Sequence, residues 1–281
     1  MNEFNQVFFP ASITELFSIW NRYPEASIFS SGANLLQNQK TKKFKLPNII
    51  LSLDHIEDLH KIDRTERYLE IGAMVTLNQV INIGKIVPAV LKETLQFAAN
   101  LNLRNLIRLG SAICQSTDEK ILSAAMIALD ARYELRTAGQ SRWIPAALLA
   151  RNRKDNVFKK QELLCRIRVP LDQWDYTICR QFKSPVGIIG AKNESGFCSI
   201  MVAMQKDILS SVRITFAGRQ ITNEKNLEYK LVGKQLPLDI SEAESFVQVW
   251  KNYLESIEGR SEFACNRFLN FIESAIMHFV D

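Results

Sequence analysis

Leu51-Ser52-Leu53-Asp54-His55-Ile56-Glu57-Asp58-Leu59, continued by Leu69-Glu70-Ile71-Gly72-Ala73-Met74-Val75-Thr76, is the stretch that decides the fold. Ile49 to Leu53 form a strand apolar enough to be buried. A short helical turn passes through Ile56 and Leu59, and a further strand covers Tyr68 to Gly72. Thr76 then offers an N-cap hydroxyl to a helix over Leu77 to Ile83.

Upstream, Ser12 and Glu15 make a capping-box pattern, and Ile13, Leu16, Phe17 and Trp20 recur at helical spacing. That helix should stop near Tyr23-Pro24. A strand over Ser27 to Ser30 runs into the small-residue loop Ser31-Gly32-Ala33-Asn34. Downstream, Pro88 opens a helix reaching about Ala99. Leu103 to Ile113 has no clean periodicity. A helix from about Asp118 to Asp130 places Ile121, Leu122, Ala125, Met126 and Leu129 on one face. Strands follow at Tyr133–Arg136, Arg142–Ile144 and Leu163–Val169, with a charged loop, Arg151 to Lys160, between the last two.

Pro170 and Asp172-Gln173-Trp174-Asp175 mark a boundary, which divides the chain into 1–170 and 171–281. Beyond it come strands at Thr177–Phe182, Phe197–Gln205 and Ser211–Ala217. Two amphipathic helices, Ser241–Ile257 and Ser261–Phe279, are separated by Gly259. The fold class is therefore α+β: an α/β N-terminal part, then an antiparallel sheet with helices.

Bulk properties exclude several classes of function. The chain has 281 residues, 47% apolar and 23% charged, enough for about two domains. Its net charge of +5 is a mild excess and points to no nucleic-acid partner. No 18-residue apolar run indicates a membrane span, and no signal peptide is expected at the N-terminus. The five cysteines are scattered without a C-x-x-C pair, so they read as reduced, mostly buried thiols of a cytoplasmic protein rather than cluster ligands. His55 and His60 lack a third metal ligand and read as solvated or core histidines. There is no G-x-G-x-x-G, Walker loop, G-x-S-x-G or H-E-x-x-H. No side chain is read as catalytic, and any reactive atoms would come from a cofactor.

Five ordered stretches resemble the FAD-binding domain of molybdopterin dehydrogenases, the family of the carbon monoxide dehydrogenase medium subunit and the xanthine dehydrogenase flavin domain. Phe9-Pro10-Ala11-Ser12 is similar to the family's opening before its first helix. Ser30-Ser31-Gly32-Ala33-Asn34-Leu35 stands at its A-G-G-T-[DN]-L. The stretch from Leu51 to Thr76 matches I-D-L-x-x-I-x-E-L and L-x-I-G-A-x-x-T. Arg104 to Ile113 stands at R-N-x-A-T-I-G-G-N-I. Ile127-Ala128-Leu129-Asp130-Ala131 and Gln161 to Pro170 also fit. The resemblance implies an N-terminal flavin domain of two small subdomains and a C-terminal domain of the carbon monoxide dehydrogenase flavoprotein type. It implies FAD as cofactor and electron transfer as activity. The implied partners are an iron–sulfur subunit and a molybdopterin-binding large subunit, with NAD or another electron acceptor.

The resemblance also implies the site. Ser30, Ser31, Gly32, Ala33, Asn34 and Leu35 would form one loop around the flavin pyrophosphate, and Arg108, Leu109, Gly110, Ser111 and Ala112 the other. Glycine permits positive φ and close approach of backbone N–H groups to phosphate. Phe97 would pack on the flavin, Val157 or Phe158 would lie against its ring, and Lys183 or Arg180 would face the reduced ring. The chain departs from the family by serine for glycine at 31 and 111, Ala33 and Ala112 for polar residues, and Arg108 for a small hydroxyl residue. Ile121 replaces an acidic residue for which Asp118 is the nearby substitute. These departures leave a second reading open, a cofactor-free scaffold with the flavin lost. Basic loops at Lys40, Lys42, Lys43, Lys45 and Arg151, Arg153, Lys154, Lys159, Lys160 read as solvated faces or as a docking surface for acidic subunits.

Overall fold

In a computed structural model, Ser12 caps the first helix, Ile13–Arg22, by accepting the Glu15 N–H at 3.1 Å. The Glu15 carboxylate reaches back to the Ala11 N–H at 2.8 Å, one residue earlier than in the standard capping box. Leu16 and Phe17 turn this helix onto the core. The structure describes residues 6–30, 32, 47–114, 120–151, 157–183 and 195–280.

The chain folds into two compact units. The first comprises Met1–Val87, Ala99–Ser116 and Asp130–Leu171. It holds a parallel sheet of β1 (Gln6–Phe8), β2 (Ser27–Phe29) and β3 (Ile49–Ser52), in the order β1-β3-β2. It also holds an antiparallel sheet of β4 (Ile62–Arg64), β5 (Tyr68–Gly72), β6 (Arg132–Arg136), β7 (Ser141–Pro145) and β8 (Leu163–Pro170), in the order β4-β5-β8-β6-β7. Leu16, Phe17, Leu51, Leu53, Ile56, Leu59, Met74 and Cys165 share one core. Arg166 and Arg168 alternate along β8 with these inward residues and meet Glu134 and Glu70 across the sheet. Arg168 also stacks 4.0 Å from the Trp143 ring centroid.

The second unit comprises Pro88–Ala98, Thr117–Leu129 and Asp172–Asp281. Its sheet is β9 (Tyr176–Lys183), β10 (Ser195–Gln205), β11 (Ile208–Ala217) and β12 (Ile221–Thr222), antiparallel in the order β12-β11-β10-β9. Ile200, Val202, Ile214 and Phe216 pack on the helices Ile240–Ser256 and Glu262–Met277, around Trp250 and Phe268. Helices Ala89–Ala98 and Ile121–Ala128 also pack on this sheet. Ile121–Ala128 is buried on nearly every side, with Ile121, Ala124, Ala125, Met126, Ile127 and Ala128 all in the core. The compact units therefore interleave along the chain, and two helices lying before residue 170 belong with the C-terminal sheet. Alternation within a strand cannot reveal such an insertion. The last passage between the units comes after Leu171.

Most expected elements recur within one to three residues. The aperiodic stretch after Ala99 resolves into two short helices, Leu101–Arg104 and Leu109–Cys114. Cys165, Cys179, Cys198 and Cys265 are buried free thiols and Cys114 is exposed. Burial pushes the Cys165 thiol up to about 12, which keeps it protonated. No helix among the described residues is long and apolar enough to cross a membrane.

Gly72 ends β5 against the preceding 3-10 turn, where an added Cβ would lie 2.1 Å from the Leu59 carbonyl oxygen. Gly72→Ala is expected to destabilise the protein by about 3 kcal/mol in urea unfolding. Gly139→Ala, with nothing within 4 Å of the new carbon, should change stability by less than about 0.5 kcal/mol. Equal effects of the two substitutions would refute the tight approach.

Candidate functional site

The C-terminal ends of β2 and β3 lie side by side, with Phe29 paired to Ser52. The Leu53 N–H donates to the Phe29 carbonyl at 3.0 Å and closes the gap between the strands. Ligands of open α/β sheets collect outside the carboxyl ends of parallel strands. Here the first loop leaves β2 through half-buried Ser30. Gly32 has φ +70°, a left-handed conformation that suits glycine, and an added Cβ would lie 3.1 Å from the Phe29 ring. Ser31, Ala33, Asn34 and Leu35, the remaining residues expected in this loop, lie outside the described residues. So do Asp118, Lys40, Lys42, Lys43, Lys45, Arg153 and Lys154.

Asp54 follows β3. The buried Ser52 hydroxyl donates to Asp54 Oδ2 at 3.1 Å, and the Asp54 carbonyl contacts His60 Nε2 at 3.1 Å. Asp54 Oδ1 faces Arg108 Nη2 at 3.5 Å. Arg108 Nη1 donates to the Met74 carbonyl at 3.2 Å, whereas Nε is buried with no acceptor among the described residues. A buried donor of this kind calls for an acceptor oxygen, whether of water or of a ligand.

The second loop reaches this point by docking on Ala73 to Leu77. Leu77 N–H donates to Ile107 O, Leu109 N–H to Val75 O at 2.9 Å, and Gly110 N–H to Ala73 O at 2.9 Å. A Cβ on Gly110 would sit 2.6 Å from Ala73 Cβ. Gly110 is therefore needed for packing against β5's exit, and its N–H is already used. That revises the physical reason for the glycine, which sequence reading tied to phosphate. Ser111 and Ala112 are in the helix Leu109–Cys114 without positive φ, so their side chains cost no backbone strain. Leu109 is buried core. Thr76 sits opposite Arg108 and closes a full capping box with Gln79 on helix Leu77–Asn82.

Val157 and Phe158 are half-buried on a loop that Glu162 organises. Glu162 takes Arg142 Nε at 2.7 Å and Nη2 at 2.8 Å, together with the Lys159 N–H at 2.8 Å. Arg142 Nη2 also binds the Val157 carbonyl at 2.7 Å. Phe97 and Lys183 belong to the second unit, where Lys183 Nζ lies 5.2 Å from the Phe97 ring centroid. Arg180 is exposed on β9, and Ile121 is a core residue of the second unit. His55 rests against Phe9, their ring centroids 5.3 Å apart. Sequence reading had Asp54 only as part of a motif and missed its role at the strand end. The legible signal was Ser52-x-Asp54, two polar residues closing an otherwise apolar strand.

This arrangement defines an α+β domain that brings Arg108 and Asp54 together at the end of its parallel strands. Residues 2–172 match the family model described as FAD binding domain in molybdopterin dehydrogenase, and the chain belongs to that family. It is 31% identical over 126 residues to "Uncharacterized protein YgfM" of Escherichia coli (strain K12), a match covering 45% of this chain and 47% of that one. The aligned stretch thus spans about half the length of that curated relative. Quinoline 2-oxidoreductase from Pseudomonas putida 86 superposes with TM-score 0.77 at 20% identity, over 99% of this chain and 95% of that chain. Carbon monoxide dehydrogenase from Hydrogenophaga pseudoflava, in a form lacking the Mo-pyranopterin moiety, superposes with TM-score 0.76 at 18% identity, over 98% and 96%. The fold is that of these oxidoreductase chains, and FAD is the family's cofactor. The residues present fit its diphosphate: a left-handed glycine, a cation with a spare buried N–H, and serine hydroxyls.

Burial raises the Glu162 and Glu134 carboxyls, but their arginine hydrogen bonds outweigh it and both are held below the ordinary glutamate range. The stability they confer is complete above that range and is lost as pH falls through the depressed values. Thermal melts from about pH 7 to about pH 3 should show Glu162→Gln flattening the acid-side loss. An unchanged acid profile would show that the ion pair contributes nothing.

Proposed function

We propose that this chain is the FAD-carrying electron-transfer subunit of a xanthine dehydrogenase-like molybdenum hydroxylase. Residues 1–170 form its flavin domain and residues 171–281 a C-terminal domain of the carbon monoxide dehydrogenase flavoprotein type. A separate cytoplasmic iron–sulfur subunit, fed by a molybdopterin-binding large subunit, supplies electrons, and NAD or another acceptor receives them. The placing of Ser30, Gly32, Asp54 and Arg108 at the parallel strand ends carries this reading.

FAD, when bound, supplies reversible one- and two-electron chemistry. The protein's part is to bind and orient it. Gly32 turns the first loop, Arg108 offers positive charge, and Ser30 and Ser111 offer hydroxyls. The ring-facing roles expected of Val157, Phe158, Phe97 and Lys183 form part of the same proposal.

Purified protein is expected to be yellow or, as apoprotein, to bind one equivalent of FAD with quenching of flavin fluorescence. Gly32→Val should weaken binding by about tenfold or more, since a branched residue at positive φ costs over 1 kcal/mol. A colourless protein that ignores added FAD would overturn the reading and leave the scaffold alternative, consistent with Ile121 standing in the core.

A further inference from the structure

Arg108 is half-buried and weakly partnered for a cation. Its contact to Asp54 is at the outer limit of hydrogen-bond distance, at 3.5 Å, and Asp54 Oδ2 is already engaged by Ser52. One guanidinium nitrogen takes only a neutral carbonyl, and Nε has no acceptor among the described residues. Along this loop the N–H groups of Leu109, Gly110 and Ala112 are used within the protein. Among the described residues at this strand end, Arg108 is the cation placed to neutralise a diphosphate.

We infer that Arg108 and Asp54 form an exchangeable latch. Asp54 holds Arg108 in the cofactor-free chain, and the flavin diphosphate takes its place as the guanidinium's partner. The inference rests on the flavin reading and goes beyond it: a side-chain cation of this chain takes part in recognising the cofactor's diphosphate. Because the diphosphate must displace the Asp54 carboxylate from the guanidinium, Asp54 sets the affinity downward through that competition. The planar guanidinium fork suits two phosphate oxygens, and a lysine would reproduce only its charge.

The test is a fluorescence titration of the full-length apoprotein with FAD and with riboflavin, which lacks phosphate. Arg108→Ala should weaken FAD binding on the order of ten- to hundredfold while changing riboflavin binding by less than about twofold. Arg108→Lys should fall between, and it retains the test if the alanine variant fails to fold. Asp54→Asn should tighten FAD several-fold, and that gain should vanish in the Arg108→Ala background, the signature of a coupled pair. Equal losses for FAD and riboflavin, or an Asp54→Asn gain independent of residue 108, would overturn the latch. Wild-type protein that binds neither flavin overturns the flavin reading, and the latch with it. Wild-type protein that binds FAD while both Arg108 variants bind it equally well overturns the latch alone.

Discussion

The docking of Ile107–Gly110 on Ala73–Leu77 is the constraint on which the site depends. Its backbone hydrogen bonds and the lack of room for a Cβ at Gly110 leave the second loop a single seat. That seat delivers Arg108 to the carboxyl end of the parallel sheet, beside Asp54. The same contact orders the exit of β5, whose own glycine, Gly72, presses on Leu59. Two glycines that look like loop punctuation are thus close-packing residues. Their value lies in the atoms they lack, as expected where one backbone must approach another.

Electrostatics in the first unit follow the same economy. Glu134 is almost fully buried, yet Arg166, Arg136 and Ser141 satisfy it. Glu162 is likewise closed by Arg142 and a backbone N–H. Arg108 is less completely paired than these arginines: its Nε, like that of Arg104, has no acceptor among the described residues.

Much of this was legible in the residues. Ser12 and Thr76 are caps that act through atoms of the next turn, and local chemistry shows itself in local sequence. The strands β3, β5 and β8 were visible because their apolar runs are bounded by turns. The short edge strands β1 and β4, of three residues each, carry too little pattern to be seen. The resemblance to the family directed attention to Ser30–Leu35 and Arg108–Ala112, and the structure places Leu109 to Ala112 in a short helix. That Gly110 serves packing, and that Ser111 carries no strain, was not legible, because both depend on Ala73 and on a helix start seen only in three dimensions.

The sequence by itself determined the class of the fold, the order of its elements and the two loops to inspect, because periodicity, capping and turn chemistry act over a few residues. Only the tertiary structure decided that Ala89–Ala98 and Ile121–Ala128 join the C-terminal sheet. Only it brought Arg108 to Asp54, a pair 54 residues apart. Both outcomes depend on which buried faces and backbone edges meet across long stretches of chain. That choice is made by close packing and by the pairing of buried polar groups, neither of which a linear pattern contains.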